Sequence, residues 1–222
     1  MSGISFITAS MAMPFSDPLI GLATGLSISM RDCTIPFNFA FVQGGKNRID
    51  ALSRGTYNFI IISKEAAKYH TSKNPNLETF MILNNSRYSN EYMFFSYDKD
   101  IATPQDGMRI AVDPKATDQF VLTNRLCQGK NVEIVHCAFS ACISMFLEKK
   151  VDAVVYHKEH WIEAEHMHTH KIESGQDMYI PAIVTAKGDK VIQQLIKTYI
   201  ADISISKTQQ DVTNKKIYPQ FC

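Results

Sequence analysis

The stretch from Ile4 to Leu26, ISFITASMAMPFSDPLIGLATGL, limits what this chain can fold into more than any other. It opens with a β-rich run, turns through Met13-Pro14-Phe15-Ser16 and launches a helix behind Asp17-Pro18. A capping residue followed by proline at the head of an apolar-periodic run marks a helix start, because the N–H that proline lacks has no intrahelical partner there anyway. Leu19, Leu22, Ala23, Leu26 and Met30 then recur at three- and four-residue steps, as a core-facing stripe does. A strand, a loop and a helix start in immediate succession form the first half of a βαβ unit. In open α/β sheets, ligands bind outside the carboxyl ends of such strands, where helix N–H groups point outward.

The rest of the chain repeats this arrangement. Ile35 to Val42 (IPFNFAFV) reads as a buried strand, followed by the turn Gln43 to Arg48 and a short helix through Leu52 that Arg54-Gly55 closes. Tyr57 to Ile62 (YNFIII) is continuously apolar, which suits a strand covered on both faces, and Ser63 caps a helix from Lys64 to about His70. Two strands without an intervening helix follow, Phe80 to Leu83 and Tyr92 to Tyr97; the polar run Asp98 to Gly107 then reads as a crossing between lobes.

A second α/β segment begins with the strand Arg109 to Val112, where Asp113-Pro114 repeats the earlier helix-start signal ahead of a helix over Ala116 to Cys127. The strand Val132 to Val135, the helix Ala138 to Leu147 and the strand Val154 to Tyr156 complete it. RIDALSRGTYNFIII (from Arg48) and ISMFLEKKVDAVVY (from Ile143) share a layout of helix, polar turn and buried strand introduced by Asn58 or Asp152, so two lobes of similar build are expected. Ser174 to Asp177 reads as a second crossing. Met178 to Ala186 reads as a strand that Pro181 assigns to an edge or switch position. A last helix starts near Asp189 with Val191, Ile192, Leu195, Ile196, Tyr199 and Ile203 as its apolar face, and the polar tail from Gln209 is expected to fray. The fold class is α/β, with residues 1–102 and 176–222 in one lobe and 103–175 in the other, each a mixed, mostly parallel sheet flanked by helices.

Composition narrows the function. A formal charge of +1 over 222 residues argues against a nucleic-acid surface, which needs clustered Lys and Arg; Lys149-Lys150 and Lys215-Lys216 are short solvated pairs. No apolar run approaches the roughly 20 residues that span a bilayer, and MSGISFITAS lacks the features of a signal peptide. The five cysteines are odd in number and show no C-x-x-C spacing, so a reduced, cytoplasmic protein without membrane partners is expected.

Four segments carry a resemblance: MPFSDPLIGLATGL, IPFNFAFVQGGKNRIDALSRGTYNFIIIS, AVDPKATDQ and VDAVVY. In this order they resemble the C-terminal domain of the YhfZ family of proposed bacterial transcriptional regulators, an effector domain with a type II periplasmic-binding-protein-like fold. The resemblance implies a homodimer that binds a small molecule between its lobes. It also implies DNA as a partner only through an upstream helix-turn-helix module, absent from these residues.

The candidate site follows from strand ends. In the first lobe these are the loop Ser10 to Ser16, with Met13 and Phe15, the turn Gly45-Lys46-Asn47-Arg48, and Ser63. In the second they are Asp113, Lys115, Thr117 and Asp118 at a helix start and Tyr156 at a strand end. Helix N–H groups, hydroxyls and the cations Lys46 and Arg48 suit an acid, and Asp113 and Asp118 suit an amino group, so the expected ligand is a small anionic or zwitterionic metabolite. Taken singly, each residue is as well explained as a cap, a turn or a solvated charge.

Other chemistry is less well supported. Five of the seven histidines lie from His157 to His170; on a strand His166, His168 and His170 would share a face, and on a helix His157, His160 and a His or acid one turn later would, yet neither spacing matches the zincin motif and a solvated segment explains them. Cys137 and Cys142 flank a helix start beside His136, but Cys142 falls on the apolar stripe, so core cysteines are expected. There is no G-x-S-x-G, phosphate loop or Rossmann fingerprint. The sequence therefore points to a binding domain without metal or cofactor, with a stand-alone solute-binding protein and an enzyme on the same scaffold as rivals.

Overall fold

A computed structural model describes residues 5–158 and 166–221. The chain divides into two units, Met1–Ser89 with Gln176–Cys222, and Asn90–Gly175.

In the first unit the sheet is built from β1 (Ile7–Met11), β2 (Phe37–Phe41), β3 (Phe59–Ser63), β4 (Leu77–Ile82) and β10 (Pro181–Ala186), in the order β2-β1-β3-β10-β4. β1 pairs in parallel with β2 and β3, whereas β10 runs antiparallel to both β3 and β4. Four strands thus run one way and one opposes them. Alternation along the strands sorts the core into two layers. Ile7, Ala9, Met11, Phe59, Ile61 and Ile183 face one way, towards α1 (Asp17–Ser29), α6 (Lys190–Tyr199) and α7 (Asp202–Thr213). Ile60, Ile62, Ala182 and Val184 face the other, towards α2 (Gly45–Ser53) and α3 (Lys64–Thr71). A sheet covered on both faces needs the unbroken FIIIS run of β3, all of it buried.

The second unit repeats the plan with β5 (Tyr92–Ser96), β6 (Arg109–Val112), β7 (Glu133–His136), β8 (Ala153–His157) and β9 (His168–Lys171), in the order β7-β6-β8-β5-β9. β6 is parallel to β7 and β8, and β5 is antiparallel to β8 and β9. α4 (Thr117–Leu126) and α5 (Phe139–Leu147) connect the parallel strands. Cys142, Ile143 and Phe146 of α5 bury against Phe95, Ala111 and Val154.

The shared layout of the two segments has an atomic counterpart. Asn58 Oδ1 accepts the backbone N–H of Thr8 at 2.8 Å, and Asp152 Oδ2 accepts that of Arg109 at 2.8 Å. In return, the N–H of Asn58 donates to Thr8 O and that of Asp152 to Arg109 O, each at 2.8 Å. The residue ahead of the third strand thus clamps the start of the central strand in both units. In the second, the Arg109 guanidinium also grips Asp152 and holds its carboxyl below the usual range.

Four expectations are corrected. The first lobe does not extend to residue 102: β5 pairs with β8 and β9, so the chain leaves the first unit after Ser89. The strand carrying Pro181, read as an edge or switch strand, is not at an edge: the chain returns to the first unit through it, and it lies between β3 and β4. Proline is tolerated there because it is the first residue of the strand and its carbonyl still accepts the N–H of Leu83 at 2.9 Å. Asp113-Pro114 does not open the helix. It forms a turn, with Lys115 N–H donating to Asp113 Oδ1 and Ala116 N–H to Asp113 O, and α4 begins at Thr117.

The fourth concerns the end of the chain. The last apolar run breaks after Tyr199, and a further helix, α7, runs to Thr213, over the first residues of the tail expected to fray from Gln209. Gly21 and Gly25, one turn apart on α1, let α7 approach closely: a Cβ on Gly21 would lie 2.8 Å from the Cα of Gln209, and one on Gly25 would lie 3.1 Å from the Cα of Ile205. Gln209, buried at this contact, donates to Pro18 O at 2.8 Å and Arg87 O at 2.7 Å, and its Oε1 accepts the N–H of Arg87 at 2.9 Å.

Candidate functional site

Both units present the order second-first-third among their parallel strands, β2-β1-β3 and β7-β6-β8, so chain connections leave the central strand in opposite directions. This is a topological switch point, and the carboxyl ends of the three strands share one edge of the sheet.

In the first unit, Ser10 is the penultimate residue of β1, on the opposite face from Ala9 and Met11, and is fully buried. The loop beyond it folds back through a bond from Phe15 N–H to Met13 O at 2.9 Å; Met13 is half-buried and Phe15 is 73% exposed. Ser16 stands at the N-cap position of α1 with extended backbone, yet its hydroxyl makes no capping bond. Ser63 behaves differently: its Oγ accepts the N–H of Ala66 at 2.9 Å and caps α3, as the sequence predicts.

Gly44, with φ of 84°, turns the chain from β2 into α2, and Gly45 begins the helix in a buried position. Lys46 pairs with Asp50 at 2.7 Å on the exposed side of α2, and Asn47 donates to Gln43 O at 2.9 Å. Arg48 is neither solvated nor open as a two-pronged clamp. It is 3% exposed and spends one terminal nitrogen on Val42 O at 2.6 Å and the other on the Tyr88 hydroxyl at 2.9 Å. No carboxylate among the described residues pairs with it. Three buried polar atoms at this edge, Ser10 Oγ, Ser16 Oγ and Arg48 Nε, have no hydrogen-bond partner among the described residues. A buried polar atom left unpaired costs about 1–3 kcal/mol, so three near one sheet edge stand out.

In the second unit, Asp113 is buried and both its carboxylate oxygens are engaged: Oδ1 accepts Lys115 N–H at 2.8 Å and Oδ2 accepts Phe139 N–H, at the start of α5, at 2.9 Å. It is a structural tie between two strand ends rather than an open acceptor for an amino group. Gln119, which no sequence signal singled out, is fully buried and completes the tie, accepting from Asp113 N–H and donating to Val155 O, each at 2.9 Å. Thr117 and Asp118 are buried in the first turn of α4, and Lys115 is exposed. Tyr156 is buried and stacks on Phe139, with ring centroids 4.5 Å apart.

His157, the last residue of β8, packs against Tyr92 at 4.2 Å and Phe139 at 5.7 Å between ring centroids. Burial pushes its pKa down to about 4, and its Nε2 finds no partner among the described residues. His168 and His170 lie on β9, His166 sits before it with φ of 62°, and His160 with its neighbouring acids lies outside the described residues. Among the described residues no three His, Cys, Asp or Glu side chains group as metal ligands. No helix in them is long and apolar enough to cross a membrane.

Comparison with known proteins gives this architecture a family. The YhfZ protein of Escherichia coli K12 is 24% identical over 224 residues, which span 98% of this chain and 72% of that protein. The crystal structure of YhfZ from Shigella flexneri superposes with a TM-score of 0.83 at 22% identity, covering 98% of this chain and 94% of that one. The periplasmic aliphatic sulphonate binding protein SsuA from Escherichia coli superposes with a TM-score of 0.66 at 11% identity, over 96% of this chain and 71% of its own. The fold is therefore that of the type II periplasmic binding proteins, in two α/β halves. The family model described as "YhfZ C-terminal domain" matches residues 1–221, and the chain belongs to that family.

Proposed function

We propose that this domain binds a small anionic or zwitterionic metabolite and acts as the effector-binding part of a transcriptional regulator. The observation that carries the reading is the cluster of unsatisfied buried groups at the switch-point edge of the first unit: Ser10 Oγ, Ser16 Oγ and Arg48 Nε. Two hydroxyls and one nitrogen of an unpaired guanidinium, beside the uncapped start of α1, favour a ligand that brings oxygen acceptors. The fold supports the same reading, since proteins built on it include binders of small molecules such as the sulphonate binding protein.

Binding rather than turnover is proposed, because the acidic group best placed for acid–base work, Asp113, is committed to two backbone N–H groups. The ligand acts by binding one arrangement of the protein more tightly than another. The regulator reading adds a cytoplasmic homodimer, with DNA contacted only by a helix-turn-helix module outside these residues.

The test is native mass spectrometry of protein purified without added ligand, followed by isothermal titration with carboxylates, sulphonates, phosphates and amino acids. A stoichiometric anionic or zwitterionic small molecule is expected, with Ser16→Ala and Ser10→Ala weakening it by about tenfold or more per hydrogen bond lost. Binding of only uncharged or cationic compounds, or affinities untouched by both substitutions, would remove the proposed site.

A further inference from the structure

Cys137 and Cys142 have no part in the binding reading, and sequence logic makes them inert core residues. Their geometry differs from that of two cysteines buried for packing. The Sγ atoms lie 3.3 Å apart across the first turn of α5. Cys137, just before the N-cap residue Ala138, is half-buried, while Cys142 is fully buried. The Cys137 backbone is pinned by its N–H to Val112 O at 3.1 Å. The neighbour of Cys142 on its other side is Gln119 Oε1, 3.8 Å from the thiol. One sulfur can therefore meet a reagent from solution, and the second waits behind it, already in contact.

We infer that Cys137 and Cys142 are a reversible dithiol–disulfide site, oxidised by a low-molecular-weight disulfide. A protein disulfide needs its sulfurs at about 2.05 Å, so the two atoms, now 3.3 Å apart, must close by little more than an ångström. The half-buried Cys137, as thiolate, attacks one sulfur of the small disulfide; that S–S bond breaks, a small thiolate leaves and a mixed disulfide forms at Cys137. Cys142 then attacks the Cys137 sulfur. The Cys137–Cys142 bond forms, the second small thiolate departs, and the Cys142 proton goes to a departing thiolate. Two protein thiols lose two electrons and two protons, and one small disulfide becomes two thiols. Burial pushes the Cys142 thiol up, which gives it the second role and leaves the first to Cys137.

The new bond encloses the four residues from Ala138 to Ala141, Phe139 among them. Phe139 N–H holds Asp113, and its ring stacks on Tyr156, so the oxidation state of the pair is felt at the strand ends of the second unit. This inference does not depend on the proposed ligand.

The experiment uses the full chain with Cys33, Cys127 and Cys222 replaced by serine, leaving only the pair. It is equilibrated in glutathione buffers from fully reduced to fully oxidised. The expected result is loss of both thiols together, a single proteolytic peptide pair linked through Cys137 and Cys142, and full recovery with dithiothreitol. The unsubstituted chain is expected to fall from five titratable thiols to three under mild oxidation. Cys137→Ser is expected to abolish the linkage while circular dichroism stays native, and Cys142→Ala to leave a glutathione adduct stranded on Cys137. A glutathione adduct on Cys137 that persists with Cys142 present, thiols that never react, or bonds only between chains would each overturn the inference.

Discussion

Single residues carry the clearest physical signatures. Arg48 is a buried cation whose terminal nitrogens hold Val42 O and Tyr88 Oη, so its removal strips two partners at once. Arg48→Ala is expected to destabilise the first unit by about 2–4 kcal/mol, because a hydrogen bond to a charged group is worth roughly 1.5–3 kcal/mol. Urea denaturation checks this, and a loss under about 1 kcal/mol would mean a solvated side chain. A second prediction concerns pH. His157 and His70 both sit with pKa pushed down to about 4, His157 by burial and His70 by burial first and the Lys46 charge second. An unfolded histidine titrates near 6.5, so between about 6.5 and 4 the unfolded chain binds more protons than the folded one. Stability is then full above about pH 6.5 and falls as the pH drops towards 4. His157→Phe, which retains ring contact with Tyr92 and Phe139, is expected to flatten part of that fall when denaturation midpoints at pH 7 and pH 5 are compared; an unchanged slope would acquit His157.

At the scale of elements, α1 is the most instructive, because two codes are written on one helix. The apolar stripe Leu19-Leu22-Ala23-Leu26 was readable from its spacing, and it does face the sheet. The second code, Gly21 and Gly25, looks like helix weakness in sequence, since glycine costs about 1 kcal/mol relative to alanine inside a helix. Its meaning lies in a partner nearly 200 residues away, with no local signal. Gly21→Ala places a Cβ against backbone at 2.8 Å, so α7 must shift. Overpacking of this kind costs about 1–3 kcal/mol, more than the propensity gain, and a lower thermal midpoint is expected. Gly25→Ala, at 3.1 Å, is expected to be close to neutral. Equal effects of the two would show that α7 does not rest on Gly21. For the same reason α7 was not legible: its hydrophobic pattern is weak, and Gln209, polar in sequence, is buried because three backbone groups meet it there. Ser63 was legible as a cap because capping needs only the next three residues. Asp113 was misread as a helix start because one of the two N–H groups it serves, that of Phe139, comes 26 residues later.

At the scale of the whole molecule, strand–helix alternation revealed an α/β fold with parallel strands, and the shared layout of the Arg48 and Ile143 segments revealed two lobes of similar build. What alternation could not reveal was which strands lie at the centre, since the position of a returning strand is decided by pairing. Pro181 pointed to an edge or switch strand, and pairing placed its strand inside the sheet. Every strand of the second unit lies within residues 90–175, so this segment alone is expected to unfold cooperatively, with the circular dichroism of a mixed α/β protein; a featureless unfolded spectrum would contradict it. The first unit is expected to lack that independence, since residues 1–89 hold β3 and β4 but not the strand that joins them. This has a consequence for the chain during its synthesis. The N-terminal half leaves the ribosome with Ile60, Ile61 and Ile62 beside an open slot, and that slot stays open until residues 181–186 emerge. The later-made unit can thus finish folding before the earlier one. Through that interval an apolar strand edge is left unguarded, and whatever shields it in the cell determines how much of the protein is recovered intact.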